Sequence, residues 1–240
     1  MPKAHVLLTK KELDQQQLPG KVVIVLDILF ATTSIVAALA HGAKEVVPLI
    51  GAEAALAEAK KRDKSTYILS GELNAETLPG FCHPTPLSLM RENMTDRTLL
   101  YCTTNGTVAL HKSGEADHIY AAALINGRAV VERIVHDHPE ETVLIVCSGS
   151  ADNFNLEDFY GAGHLVSLFK QLAPRQYELT DAALAACLLH ENGDALEALS
   201  QARVGRMMLS RGLEDEIRFA ARKDRFTVVP ELIDGLLRPV

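Results

Sequence analysis

The amino-acid sequence predicts an α/β protein whose central sheet is covered by helices on both faces. Short apolar runs rich in β-branched residues alternate along the chain with amphipathic stretches of helical period, which is the pattern of such a sheet. Two of the runs, Val22–Leu26 and Val143–Cys147, are almost uniformly apolar, as expected of central strands. No segment has the composition of a linker, so residues 1–240 are predicted to form a single domain.

The individual elements follow from these periodicities. The predicted strands are His5–Thr9, Lys21–Leu26, Glu45–Ile50, Thr66–Leu69, Thr98–Cys102, His118–Ala121 and Thr142–Cys147. The predicted helices are Thr32–His41, Ala52–Arg62, Pro86–Asn93, Thr107–Lys112, Arg128–His136, Leu156–Leu172, Asp181–His190 and Ala195–Arg211.

Composition and charge exclude several classes of protein. Hydrophobic residues make up 48% and charged residues 23% of the chain, so disorder is not expected. No apolar run approaches the roughly 18 residues of a membrane helix, and Met1–His5 does not begin a signal peptide, so we expect a cytoplasmic protein without a membrane partner. The net charge of -7, with dispersed Lys and Arg, argues against nucleic acid as a partner. The choice between a monomer and a homodimer is left open.

Polar residues follow four of the predicted strands, at the place where ligands bind in open α/β sheets. They are Asp27 with Thr32 and Thr33, Glu72, the turn Thr103-Thr104-Asn105-Gly106-Thr107, and Ser148, and the helix after the last of these strands opens with Glu157 and Asp158. Each turn alone could be an ordinary helix cap. Their common position at strand ends instead favours one site, on one edge of a parallel sheet.

Oxygen-rich side chains in this arrangement indicate phosphate chemistry assisted by Mg²⁺, which prefers carboxylate, phosphate and water oxygens. Asp27 and Glu72 are the predicted catalytic residues and leading metal ligands, with Glu157 or Asp158 as further ligands. Asp27 could instead attack phosphorus, and the sequence leaves both roles open. The predicted substrate-binding residues, which offer hydroxyl, amide and backbone N–H donors, are Thr32, Thr33, Thr103, Thr104, Asn105, Gly106, Thr107 and Ser148.

Several sharper motifs are excluded by spacing. The chain has no G-x-x-x-x-G-K-[ST] loop, and Gly161-Ala162-Gly163 lacks the third glycine of a dinucleotide-binding turn. Cys147 ends a strand as a thiol phosphatase nucleophile would, but Asn153 stands where the required arginine should be. Cys147 is therefore predicted to be a buried structural thiol.

Five segments also share their order and spacing with one family. They are Asp27–Ile35, Gly71-Glu72, Pro79–Phe81, Thr103–Thr107 and Leu156–Gly163, and together they resemble the 2-phosphosulfolactate phosphatase family. The resemblance implies a three-layer α/β/α sandwich around a mostly parallel or mixed sheet. It also implies Mg²⁺-dependent hydrolysis of 2-phospho-3-sulfolactate, a small anionic phosphomonoester, to 3-sulfolactate and phosphate, in coenzyme M biosynthesis or sulfolactate formation.

The sequence departs from the family pattern at three positions where arginine is frequent. Phe30, Leu73 and Val108 stand there, although arginine is the usual bidentate binder of oxyanions. Two alternatives are therefore kept: a phosphatase of another small phosphorylated hydroxy acid, and a small-anion-binding protein without turnover. The remaining cationic candidates are Arg128, Arg203, Arg206 and Arg211. Arg203 and Arg206 lie three residues apart on the predicted helix Ala195–Arg211, where they form either a clamp over the cleft or a solvent-facing stripe.

Overall fold

The computed structural model describes residues 1–73 and 75–240, which form a large sheet between two layers of helices. The strands are β1 Lys3–Leu7, β2 Lys21–Leu26, β3 Glu45–Leu49, β4 Tyr67–Leu73, β5 Glu76–Thr77, β6 Thr98–Cys102, β7 His118–Ala122, β8 Thr142–Cys147, β9 Glu178–Leu179, β10 Pro230–Ile233 and β11 Leu236–Pro239. The helices are α1 Ala31–Ala40, α2 Gly51–Ala59, α3 Pro86–Leu89, α4 Gly106–Lys112, α5 Gly127–Asp137, α6 Leu156–Leu172, α7 Asp181–Asn192, α8 Ala195–Gln201, α9 Arg203–Ser210 and α10 Glu214–Ala220.

The sheet has the strand order β5-β4-β6-β3-β11-β10-β7-β2-β8-β1-β9. Strands β4, β6 and β3 are parallel to one another, and β7, β2, β8, β1 and β9 form a second parallel group. The C-terminal hairpin of β10 and β11 lies between the groups and is antiparallel to both of its neighbours. The predicted α/β/α sandwich is confirmed, and its sheet is mixed.

Sheet twist explains how the two groups build one site. Because the hairpin is antiparallel to β7 and to β3, the two parallel groups run in formally opposite directions. Twist of roughly 20–25° per step, over the five steps from β6 to β2, reduces this opposition to roughly 55–80°. The carboxyl ends of the two groups therefore converge. The expectation of one edge of a single parallel sheet was wrong, although the predicted segments do meet.

The core lies on both faces of the sheet, as the uniformly apolar strands predict. Alternate residues of β2 face opposite ways: Val22, Ile24 and Leu26 join the core beneath α5 and α6, whereas Val23 and Val25 join the core beneath α1 and α4. All five side chains have no exposed surface. This double burial holds the end of β2, and with it Asp27, in a fixed position.

The predicted helix Ala195–Arg211 is wrong, because the chain breaks at Ala202 into α8 and α9. Ala202 is extended, with φ -60° and ψ 153°. The chain folds back so closely that a Cβ on Gly205 would lie 1.8 Å from the carbonyl oxygen of Leu199. The break lets Leu199 and Met208 both reach the core.

Among the described residues, no helix combines the length and apolar character needed to cross a membrane.

Candidate active site

A cleft of about 460 Å³ opens where the ends of β2, β4, β6 and β8 converge. Predicted site residues line one part of it: Asp27, Glu72, Thr103, Thr104 and Asn105. The apolar wall of the cleft includes Leu29, Phe30, Val204 and Met207, and Arg203 also lines the cleft. The convergence therefore brings two carboxylates, a hydroxyl- and amide-bearing turn and a guanidinium group to one cleft.

Asp27 follows β2 directly and is 9% exposed. Its Oδ1 accepts the backbone N–H of Ala31 at 3.3 Å. Burial raises the pKa of Asp27 to about 6 and the charge of Glu72 adds to the shift, while backbone N–H groups and the charge of Lys10 oppose it. Gly106 fits here because a Cβ would lie 2.9 Å from Asp27 Oδ2 and 2.6 Å from the Cβ of Ala31. Glycine thus permits the turn to approach the carboxylate.

Glu72 lies within β4, which continues four residues beyond Leu69, the predicted end of the strand. Gly71 pairs with Cys102 of β6, so Glu72 lies beside the turn that follows β6. Glu72 Oε1 accepts the backbone N–H of Thr104 at 2.6 Å, and Oε2 accepts the Thr104 hydroxyl at 3.1 Å. Glu72 therefore fixes the turn while its carboxylate also faces the cleft.

The Thr103–Thr107 turn is held by its own hydroxyl groups. Thr107 Oγ1 donates to the carbonyl of Thr103 at 2.8 Å, and Thr103 Oγ1 accepts the backbone N–H of Thr107 at 3.3 Å. Thr107 has no exposed surface and does not line the cleft. Within the turn, Thr103, Thr104 and Asn105 are the members that face the cleft.

Three other predicted binding residues lie beneath the cleft. Thr32 Oγ1 bonds both the N–H and the carbonyl of Asp27, and Thr33 Oγ1 donates to the carbonyl of Ile28 at 2.8 Å. The Ser148 hydroxyl is buried and has no hydrogen-bond partner among the described residues. Thr32 and Thr33 therefore support the loop that carries Asp27, and none of the three side chains lines the cleft.

Glu157 and Asp158 lie below Asp27 at the start of α6. Asp158 ties two strand ends together, since its oxygens accept the backbone N–H of Ile28 at 2.8 Å and of Gly149 at 3.0 Å. Glu157 has no exposed surface, and neither of its oxygens has a partner among the described residues. Burial raises the pKa of Glu157 to about 7 and that of Asp158 well above its usual value, with Asp27 contributing to both shifts.

The carboxylates fit a hard divalent cation in part. The donors are all oxygen, and both oxygens of the buried Glu157 side chain lack a hydrogen-bond partner among the described residues. Within the described part of the chain, however, no three His, Cys, Asp or Glu side chains form a group that could hold a metal ion. A metal ion in this cleft would therefore be held by only one or two carboxylates, and water and phosphate oxygens would complete its coordination shell. This is the usual arrangement for Mg²⁺.

Lys10 is a site residue that the sequence analysis missed. Its side chain is 7% exposed, and its Nζ donates to Asn105 Oδ1 and to the carbonyl of Ser148, both at 3.0 Å. Lys10 follows β1, so the rule applied to the other strand ends would have found it. Among the predicted cations, Arg203 lines the cleft and donates to the carbonyl of Ser150 at 3.2 Å.

Cys147 is the buried thiol that the sequence predicts. It has no exposed surface, and burial raises its pKa well above the usual value, which disfavours the nucleophilic thiolate. We expect Cys147→Ala to keep most of the activity while the cavity lowers the unfolding free energy by about 1–3 kcal/mol. Activity assays beside denaturant unfolding check this. A stable but inactive variant would instead indicate a thiol nucleophile.

Comparisons with known proteins give one consistent result. The family described as 2-phosphosulpholactate phosphatase matches residues 7–235. A probable 2-phosphosulfolactate phosphatase of Clostridium beijerinckii is 34% identical over 97% of this chain and 98% of its own length. Proteins of the same name from Clostridium novyi and Symbiobacterium thermophilum are 33% and 34% identical, over 95% and 92% of this chain and 96% and 94% of their own lengths.

Proposed function

The chain belongs to the 2-phosphosulfolactate phosphatase family, and we propose that it hydrolyses 2-phospho-3-sulfolactate to 3-sulfolactate and phosphate. The family is one of phosphoric monoester hydrolases. The observation that carries the proposal is the convergence of Asp27, Glu72 and the Thr103–Thr107 turn on one cleft that also contains Arg203. Asp27 and Glu72 are separated by more than 40 positions in the sequence, so helix capping alone does not require this convergence.

Mg²⁺ is the proposed cofactor, with Asp27 and Glu72 as the residues that would hold it. Both carboxylates line the cleft, and their oxygens are the donors that this ion prefers. Bound Mg²⁺ would neutralise phosphate charge and polarise the phosphoryl oxygens. A protein with a net charge of -7 needs such a local positive charge to accept an anionic ester.

The chain's own residues would bind and orient the phosphoryl group. The Thr103 hydroxyl and the Asn105 amide offer hydrogen bonds to its oxygens, and Arg203 supplies a positive charge to the sulfonate of the same substrate. The apolar side chains of Phe30 and Met207 would exclude bulk water from the substrate. Phosphoryl transfer depends mainly on such positioning and electrostatic stabilisation, with an attacking water held in line with the leaving oxygen.

A panel of phosphomonoesters tests the proposed function. We expect phosphate release in the presence of Mg²⁺, with the highest kcat/KM for 2-phospho-3-sulfolactate among that compound, 2-phospholactate, 3-phosphoglycerate and 4-nitrophenyl phosphate. A higher kcat/KM for another phosphorylated hydroxy acid would indicate that this compound, and not 2-phospho-3-sulfolactate, is the substrate. Phosphate binding without release from any ester would indicate a small-anion-binding protein.

Arg203 is expected to set the preference for the sulfonated substrate. A hydrogen bond to a charged group contributes about 1.5–3 kcal/mol, so we expect kcat/KM for 2-phospho-3-sulfolactate to exceed that for 2-phospholactate by roughly tenfold or more. Arg203→Ala should remove most of this difference, because Arg203 is the cleft-lining arginine. The ratio of kcat/KM for the two substrates is the measurement.

Arg206→Ala is the matched control. Arg206 lies three residues further along α9 but donates to the carbonyl of Gln201 and does not line the cleft. Its replacement should leave the substrate ratio within about twofold of wild type, in the range of ordinary surface substitutions. Equal kcat/KM for the two substrates in the wild-type protein would contradict any sulfonate recognition by Arg203.

We also propose a cytoplasmic location, with a small anionic phosphomonoester as the binding partner and neither nucleic acid nor membrane. We separately propose that the protein forms a homodimer. Light scattering during size-exclusion chromatography measures the mass of the particle directly, and a value near the 26.1 kDa of one chain would contradict the homodimer.

A further inference from the structure

Lys10 is a buried cation placed between the two polar loops of the cleft. Its Nζ donates at 3.0 Å to Asn105 Oδ1, in the turn after β6, and at 3.0 Å to the carbonyl of Ser148, at the end of β8. Asp152 is its ion-pair partner at 3.7 Å. Burying an ammonium is costly unless it is paired, and a methionine of similar length would pack here without that cost. The charge of Lys10 therefore needs an explanation beyond packing.

The contact with Lys10 determines which end of the Asn105 amide faces the cleft. An ammonium group has donors and no acceptor, so it can bond only the Oδ1 end of the amide. Asn105 makes no capping bond at the start of α4, although it is the N-cap residue. Asn105 Nδ2 has no hydrogen-bond acceptor among the described residues. Since Asn105 lines the cleft, its two N–H donors are available to an oxyanion there.

Lys10 also opposes the negative charge around the cleft. Its ammonium interacts electrostatically with Asp27 and Asp158 as well as with Asp152. Among the described residues that line the cleft, Arg203 is the only lysine or arginine. Lys10, which approaches from β1, offsets part of the negative charge without lining the cleft itself.

We infer that Lys10 is a positioning residue for anion binding: it fixes Asn105 with its amide N–H groups directed into the cleft, where they donate to an oxygen of the phosphoryl group. The inference rests on the proposed function for the identity of the ester. It requires only that the cleft binds phosphate, which can be measured without turnover.

Inorganic phosphate is the probe, titrated calorimetrically at fixed Mg²⁺ concentration. We expect Lys10→Met to raise the Kd for phosphate and the KM for substrate about tenfold or more, the loss of one hydrogen bond to an anion, with kcat reduced by less than about threefold. Lys10→Arg should restore part of the affinity. Lys11→Met is the matched control, because Lys11 is 60% exposed and pairs with the same Asp152 but does not contact Asn105.

A double-mutant cycle separates positioning from a general structural role. If Lys10 acts mainly through Asn105, Lys10→Met should raise the phosphate Kd much less in the Asn105→Ala background than in the wild-type background, with only its electrostatic contribution remaining. Full additivity, or a Kd for Lys10→Met equal to that of Lys11→Met, would overturn the inference. If Lys10→Met does not fold, Asn105→Asp decides, since aspartate keeps the Lys10 contact but has no N–H. Wild-type phosphate affinity in that variant would also overturn it.

The outcomes distinguish this inference from the proposed function. If the wild-type protein binds phosphate but hydrolyses no ester, and Lys10→Met weakens the binding, the proposed phosphatase activity is contradicted and the role of Lys10 is supported. If the wild-type protein is active and Lys10→Met changes neither binding nor activity, the phosphatase activity is supported and the role of Lys10 is contradicted. Absence of both binding and hydrolysis in the wild-type protein would overturn both.

Discussion

Asp27→Asn is expected to lower kcat by roughly three orders of magnitude or more while the protein remains folded. Asparagine keeps an oxygen that can accept the Ala31 N–H at the position of Oδ1, but it removes the negative charge that the proposed metal site requires. Glu72→Gln should have a comparable effect on kcat, because both carboxylates line the cleft. Steady-state phosphate release measures both variants.

The stability of Asp27→Asn provides an independent check of the same prediction. Burial raises the folded-state pKa of Asp27 from 3.8 to about 6, so the folded protein binds more protons than the unfolded chain between these values and loses stability as the pH rises through them. Above pH 6 the charged carboxylate costs roughly 2–3 kcal/mol. In metal-free buffer, Asp27→Asn should therefore be more stable than wild type at pH 8 and about equal to it at pH 4.

Asp117→Asn is the matched control for these substitutions. Asp117 Oδ1 also accepts one backbone N–H, that of Gly20 at 2.9 Å, but it lies in the loop before β7 and does not line the cleft. Its activity should stay within about twofold of wild type, as for ordinary surface substitutions. Near-normal turnover in both Asp27→Asn and Glu72→Gln would place the catalytic site elsewhere.

Removal of Mg²⁺ is expected to abolish phosphate release. Asp27 and Glu72 line the cleft, and the buried Glu157 and Asp158 interact electrostatically with Asp27. Lys10 and Arg203 together cannot neutralise the two cleft-lining carboxylates and a doubly charged phosphate as well. Activity in excess EDTA should fall by at least about a thousandfold, the scale of losing a charge-stabilising group at the phosphoryl oxygens.

Adding Mg²⁺ back after EDTA treatment distinguishes loss of the metal from damage to the protein by the chelator. Excess Mg²⁺ should restore the full rate, and an equal concentration of Ca²⁺ should restore much less, because Ca²⁺ prefers longer bonds and more ligands. Circular dichroism in EDTA should match that of the untreated protein. Undiminished hydrolysis in EDTA would contradict the proposed role of the metal.

The local sequence pattern predicts most of the fold but misses the hairpin at the centre of the sheet. The buried strands β2 and β8 were predicted because double burial makes their sequences uniformly apolar. The hairpin of β10 and β11 was missed, although Asp234 and Gly235 both have positive φ and form the expected two-residue hairpin turn. Its insertion between β3 and β7 depends on long-range pairing, which no local pattern reveals.

Part of the candidate site could likewise be predicted from local sequence, and part depends on contacts between distant segments. Asp27, Glu72 and the Thr103–Thr107 turn could be predicted because polar residues after apolar strands are visible in the sequence. The apolar wall from α9 could not, because it depends on the chain break at Ala202. Lys10 had a sequence signal in its position after β1, but only its contact with Asn105 indicates what it does.

A ³¹P NMR time course of 2-phospho-3-sulfolactate with the wild-type protein and with Asp27→Asn, in Mg²⁺, tests the role of the cleft most directly. We expect the phosphomonoester signal to be replaced by that of inorganic phosphate with the wild-type protein and to persist with Asp27→Asn. An unchanged phosphomonoester signal with the wild-type protein, or equal conversion by both proteins, would contradict the claim that this cleft is a phosphatase active site.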